Sequence, residues 1–312
     1  MKKTTIALLT LLASSTVSAE AELDQTLRRA VINGDYTKVE QLIRLGADIN
    51  VPGKLGHTPL IFAAEDGQLK IAQLLIDHGA RINKQTNGGY TALSAAADEG
   101  SIALVSELLK AGADPHIKTR NGMDALMIAI RSGEADVISI LMAYNSNINT
   151  ADRFGNTALM IAASQGNLDV VYMLLLADAG MNIRNKGGNT ALMLAAKRQH
   201  SEVITAILDR GASTGVTDDH GATALHYAIS NKGVKSVNIL LNHNANIDVA
   251  DHDGWTPLME AVSRGNTPLV ELLINKGANI NVRDHEGLDL PQIAKVNRHA
   301  KLVSYLRGLL KQ

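Results

Sequence analysis

Trp255-Thr256-Pro257-Leu258-Met259-Glu260-Ala261-Val262 opens a stretch that decides the fold. It continues through Arg264-Gly265, Leu269-Val270-Glu271-Leu272-Leu273-Ile274 and Gly277-Ala278-Asn279-Ile280-Asn281 to Asp284 and Gly287. Thr256 suits a helix N-cap, and Pro257 suits the first helical turn, where its missing N–H has no partner to lose. Small Ala261 lets this helix approach a neighbour closely. Gly265 breaks the chain, and Leu269, Val270, Leu273 and Ile274 then recur at helical spacing, giving a second helix one apolar face. Gly277 offers a left-handed C-cap, and Asp284 to Gly287 is turn chemistry that reverses the chain.

The same pattern runs along the whole chain. Eight glycines stand 33 residues apart: Gly56, Gly89, Gly122, Gly155, Gly188, Gly221, Gly254 and Gly287. Seven residues after each comes an alanine: Ala63, Ala96, Ala129, Ala162, Ala195, Ala228, Ala261 and Ala294, with Ala30 one period earlier. A fixed period of this length marks a repeat architecture. Such a stack presents a long surface rather than one enclosed reaction pocket.

The unit resembles the ankyrin repeat, a hairpin loop followed by two antiparallel helices, and the resemblance covers residues 24–312. The Thr-Pro/Ala-Leu opening recurs at Thr58, Thr91, Thr157, Thr190, Thr223 and Thr256, with Asp124 and Asp289 substituting twice. Only Ala224-Leu225-His226 keeps the family's histidine; Ile61, Ser94, Met127, Met160, Met193 or Met259 stands there elsewhere. Gln199 and Lys232 replace the inter-helix glycine, and Asn145, Asn244 and Asp178 take the C-cap place. Local irregularity is expected around 178–200 and at 232. The resemblance implies an all-α repeat solenoid, with 20–312 read as a single domain. Residues 24–56 form an N-terminal cap repeat, 57–287 seven central repeats and 288–312 a C-terminal cap, since terminal repeats need a polar outer side.

Residues 1–19 read as a cleaved secretory signal peptide, with charged Lys2 and Lys3, an apolar run from Ile6 to Ala13 and the small-residue site Val17-Ser18-Ala19. The expected mature chain starts at Glu20. The short lysine start looks bacterial, which predicts a periplasmic protein or, alternatively, an extracellular one. The apolar run is too short for an anchor, and no later segment is apolar enough to insert in a membrane. There is no cysteine, so stability rests on stacked apolar faces rather than disulfides. Removing Lys2 and Lys3 from 30 basic residues leaves 28 against 31 acidic ones, a net of −3. With two Phe and one Trp besides, that balance argues against nucleic acid, which needs clustered positive charge and stacking platforms.

No nucleophile elbow, P-loop, zinc-protease or dinucleotide fingerprint is present. Asp251-His252-Asp253-Gly254 with Glu260 falls partly on calcium-loop spacing, but Val249 holds the first ligand place, and calcium needs six to eight oxygens. His220, His252 and His285 stand on successive hairpins, roughly 10 Å apart by helix-packing distance, too far for three to meet on zinc at ~2 Å. Met127, Met160 and Met193 fit core filling better than copper ligation. No metal or cofactor is expected.

Ankyrin arrays similar to this one grip other proteins with hairpin tips and the exposed side of the first helices. The positions that this frame leaves free include Tyr90, Arg120, Met123, Arg153, Phe154, Lys186, His220, His252 and Trp255 at the tips, and Arg131, Lys197, Arg198 and Arg264 at first-helix ends. Central tips are basic and C-terminal tips acidic and histidine-bearing, while first-helix ends run from acidic (Glu65, Asp66, Asp98, Glu99) to basic. Such polarity selects a partner more than it adds affinity, and aromatic and arginine side chains are the usual anchors. The expectation is a non-catalytic protein-binding module, monomeric, holding a folded envelope protein. The alternatives are an immunity or protective protein for one periplasmic enzyme or toxin, and an exported effector that binds a host protein.

Overall fold

The computed structural model describes residues 20–144 and 147–310. The leader read over 1–19, Asn145 at its C-cap place, and terminal Lys311 and Gln312 lie outside the described residues. The described chain is helical, without a β-strand, and it divides into two compact units between Asn147 and Ile148.

In the first unit, helix α1 covers 20–32, α2 is Tyr36–Arg44, α3 Pro59–Glu65, α4 Leu69–Asp77, α5 Ala92–Glu99, α6 Ile102–Lys110, α7 Ala125–Ser132 and α8 Ala135–Ala143. The second unit holds α9 (Ala158–Gln165), α10 (Leu168–Leu176), α11 (Ala191–Arg198), α12 (Ser201–Asp209), α13 (Ala224–Ser230) and α14 (Val234–Asn242). It ends with α15 (Pro257–Ser263), α16 (Thr267–Asn275), α17 (Leu290–Val296) and α18 (Ala300–Leu309). Within each unit the first helices of successive repeats pack on one another, α3 on α5 on α7 and α9 on α11 on α13 on α15 on α17, and the second helices form a parallel layer.

The first helices start where the threonines stand. Thr58, Thr91, Thr157, Thr190 and Thr256 each accept the N–H three residues on. Asp124 and Asp289 do the same at 2.9 Å, so the two aspartates are equivalent caps. The 33-spaced alanines Ala63, Ala96, Ala129, Ala162, Ala195, Ala228, Ala261 and Ala294 are all fully buried. They lie where neighbouring first helices meet, and a larger side chain there would push the layers apart. The second helices contribute Leu104, Val105 and Leu108 in the first unit and Val170, Val171 and Leu174 in the second, all buried.

The irregularity expected around 178–200 and at 232 is absorbed by single residues. Asp178 (φ 57°), Gln199 (φ 62°), Lys232 (φ 61°) and Asn244 (φ 60°) adopt the left-handed conformation glycine supplies in other repeats. The helix pairs on either side stay regular, because stacking on the neighbouring repeats outweighs a left-handed cost of about 1–2 kcal/mol at each.

Candidate partner-binding face

The hairpins are built on one side chain each. In the second unit Asp152, Asn185, Asp218, Asp251 and Asp284, again 33 apart, turn one oxygen toward the backbone N–H groups two and four residues on. Asp152 accepts from Phe154 and Asn156 at 2.8 Å each, and Asp251 from Asp253 at 3.0 Å and Trp255 at 2.9 Å. In the first unit Thr86 and Thr119 hold the place and their hydroxyls accept one amide each, from Tyr90 at 3.0 Å and Met123 at 3.2 Å. The tips are also tied to one another. Arg120 N–H donates to the Gly88 carbonyl and Lys186 N–H to that of Phe154, both at 2.9 Å, and His252 N–H to that of His220 at 2.8 Å. The side chains at the tips therefore stand on a hydrogen-bonded backbone. The period-33 Asx three residues before the turn glycine was the available signal for this network.

In the first unit Tyr90 and Arg120 line a cavity of about 550 Å³ together with Leu55, His57, Glu65 and Asp98. Arg131 does not stand free. Its guanidinium bonds Asp98 at 3.1 Å. Against the desolvation that would lower its pKa, Tyr90 and Asp98 hold it above the ordinary arginine value. His57 stacks on Phe62 and lies 3.0 Å from Glu65. Burial pushes the Glu65 carboxyl up, with His57 pulling back.

Met123 corrects the sequence reading. It is only 8% exposed. Its amide is bonded to Thr119 and its sulfur faces Arg131. At this place before the N-cap the Met123 side chain turns inward and offers no tip contact, whereas the bulkier Tyr90 and Trp255 at the same register stay half-exposed.

In the second unit Phe154 is 54% exposed, with the Arg153 guanidinium 4.6 Å from its ring centroid. Exposed Lys186 is the next tip. Arg198 is exposed at the end of α11, and Lys197 beside it lies 5.6 Å from the Tyr227 ring centroid. Tyr227 donates its hydroxyl to Asp218 at 2.7 Å. Burial, then Asp218, pushes this phenol well above the ordinary range. Against its own desolvation, the Tyr227 hydroxyl and the two hairpin amides hold the Asp218 carboxyl low. Arg184, which the sequence reading passed over, pairs with the hairpin-tip Asp219 at 2.8 Å across adjacent hairpins. Arg264 is already paired, with Glu260 at 2.6 Å, and Glu260 also accepts the Ser230 hydroxyl at 2.7 Å.

Trp255 is half-buried and lines a cavity of about 370 Å³ with Asp284, His285, Leu288 and Ile293. His220 and His252 are exposed, but the His252 ring reaches the preceding hairpin through Cδ2. A Cβ on Gly221 would stand 2.6 Å from it, and one on Gly254 would stand as close to His285. The period-marking glycines here make room for the next hairpin as well as supplying positive φ. The Asp251 carboxylate is committed to backbone amides, and Met127, Met160 and Met193 are buried. Among the described residues, no group of three His, Asp or Glu side chains is placed to hold a metal ion.

His226 ties a first helix to the next hairpin through its side chain. Its Nδ1 faces the Thr223 amide at 3.1 Å, and its Nε2 lies 3.2 Å from the Trp255 carbonyl. With Nδ1 accepting from an N–H, the neutral ring carries its proton on Nε2 and donates it to Trp255. Burial lowers the His226 pKa, the Trp255 bond opposing it.

The structure thus places twelve of the thirteen sequence-predicted residues at least partly on the surface and withdraws Met123. It brings together Tyr90 with Arg131, and Arg153 with Phe154. A family model described as ankyrin repeats in three copies matches residues 27–119, 95–185, 173–251, 192–284 and 232–309. The chain belongs to the ankyrin-repeat family, whose repeats generally mediate protein–protein interaction and are typically non-catalytic. Among curated proteins none matches the chain. No described helix is long and apolar enough to cross a membrane.

Proposed function

We propose that this ankyrin-repeat protein is a non-catalytic binding module of the bacterial periplasm. It holds a folded envelope protein through its hairpin tips and the exposed side of its first helices. The observation that carries the reading is the tip of the second unit. An exposed phenylalanine under an arginine is held on a hairpin whose Phe154 and Asn156 amides are bonded to Asp152, and surface aromatics and arginines of this kind are the usual energetic centres of interfaces. A prepositioned anchor loses little entropy on binding. The charged start, apolar run and small-residue site of residues 1–19 support export. An immunity role, with one cognate periplasmic enzyme as the partner, is a narrower form of the same reading.

Cross-linking in intact cells, followed by identification of the captured protein, supplies the partner for the test. Trp255→Ala combined with Arg153→Ala leaves the fold intact and weakens capture at least tenfold, about 1.4 kcal/mol. Charge reversal at Glu271, exposed on the second-helix layer, leaves capture unchanged. Normal capture by the double variant, with loss on reversal at Glu271, would move the interface to the opposite side. Finding Met1 at the N-terminus of the soluble protein would remove the periplasmic assignment.

A further inference from the structure

After Asp289 the chain contains no acidic residue, yet it carries Lys295, Arg298, Lys301, Arg307 and Lys311. A terminal repeat needs a polar outer face, but polarity does not require one sign. The N-terminal cap mixes both, with Asp24, Asp35, Glu40 and Asp48 among Arg28, Arg29, Lys38 and Arg44. The C-terminal cap does not.

Its cations are gathered on one face. Lys295, Arg298, His299 and Arg307 line a single open cavity of about 450 Å³ between α17 and α18. Lys295 stands at the register where the other repeats of this unit bury Ala163, Ala196, Ile229 and Val262, and Arg307 where Leu175 and Leu208 are buried and Leu241 and Ile274 half-buried. Positions that would pack on a further repeat have thus become cationic. Lys295, Arg298 and Arg307 form no ion pair among the described residues, while His299 is occupied through Nε2, 2.8 Å from the Ser263 carbonyl. Leu310, three residues after Arg307, is 40% exposed, while Val296 lines the separate cavity beside Trp255.

We propose that this outer face of the C-terminal cap docks the protein on an anionic phospholipid surface. Unopposed cations gathered over an open face match a headgroup layer that offers many phosphates at once. The hairpin face, with both signs and aromatic anchors, has a different character, so this inference does not depend on the partner reading above.

The test is co-sedimentation of the purified soluble protein with phosphatidylcholine vesicles containing about a third phosphatidylglycerol, against phosphatidylcholine alone. Binding is expected only to the anionic vesicles, and raised salt weakens it. Each cation near such a surface contributes roughly fivefold, so K295Q/R298Q/R307Q lowers partitioning by about a hundredfold. The melting temperature of that variant reports its fold, and K295R/R307K, which keeps the charge, keeps the binding. Three results would overturn the proposal: no sedimentation with anionic vesicles, equal sedimentation with both lipids, or a triple variant that is folded and binds as before. Binding of polyglutamate through these residues, with vesicles left unbound, would assign the face to acidic protein instead and overturn it equally.

Discussion

His226→Met transplants into α13 the residue that α9, α11 and α15 carry at the same register, Met160, Met193 and Met259, all buried. The exchange removes one hydrogen bond to the Trp255 carbonyl. That carbonyl is not orphaned, because it also accepts the Asp251 amide at 3.0 Å. The loss is therefore that of an ordinary bond, about 0.5–1.5 kcal/mol, rather than of a stranded buried group. The Thr223 amide need not lose its acceptor, since the Met193 sulfur takes the Thr190 amide in the preceding repeat at 3.4 Å. At pH 7.5 the variant is less stable by about 1 kcal/mol. The difference then depends on pH in a fixed direction. Burial lowers the folded-state pKa of His226 below its unfolded value of about 6.5. Above that value the ring is neutral in both states and the histidine contribution is fully present. Below it the unfolded chain binds a proton that the folded chain resists. The histidine protein then loses stability as pH falls toward the folded pKa, by at most about 1.4 kcal/mol per pH unit. Contributions common to both proteins cancel in the difference. Urea unfolding at pH 7.5, 6.5 and 5.5 should therefore show the gap between the two proteins closing as the solution is acidified. A gap that stays constant or widens would mean that His226 is not a buried neutral donor, and the tautomer assigned to it would be wrong.

Ala162→Leu overpacks the contact between α9 and its neighbouring first helix and should cost about 1–3 kcal/mol in a denaturant titration, with helical content retained. Lys232→Gly should stabilise the protein by up to about 1 kcal/mol, because relief of the left-handed backbone exceeds the added entropy of a glycine in the unfolded chain; a lower melting temperature would count against strain at this site. EDTA should leave the melting temperature unchanged, since the Asp251 carboxylate is committed to the hairpin amides.

Much of the candidate binding face was visible in the sequence only as a set of positions. Arg153, Phe154 and Lys186 could be placed at tips because the frame fixes where a tip is. What each side chain does there could not be read. Arg131 and Arg264 look alike as cations at first-helix ends, yet one is shared by Asp98 and Tyr90 and the other is held by Glu260. Trp255 looked like a projecting anchor and is half-buried beside Leu288 and Ile293. Apart from Arg264–Glu260, which is one helical turn, these contacts join residues about one period apart, and the neighbour's side chain decides them as much as the residue itself.

The sequence by itself determined the repeat. Thr256-Pro257, the alanine register, the glycines and the 3.6-residue spacing of apolar side chains act through local capping, backbone sterics and amphipathicity, which are properties of short segments. Helix starts were legible even where Asp124 and Asp289 replace threonine, because either oxygen satisfies the same N–H. Only the tertiary structure decided what stacking adds. It turned Met123 inward, laid His252 on Gly221, left Gln199 and Lys232 in left-handed conformations without disturbing their helices, and gathered Lys295, Arg298 and Arg307 around one cavity. Each of these outcomes depends on the surface of an adjoining helix or hairpin, which a linear reading of one period does not contain.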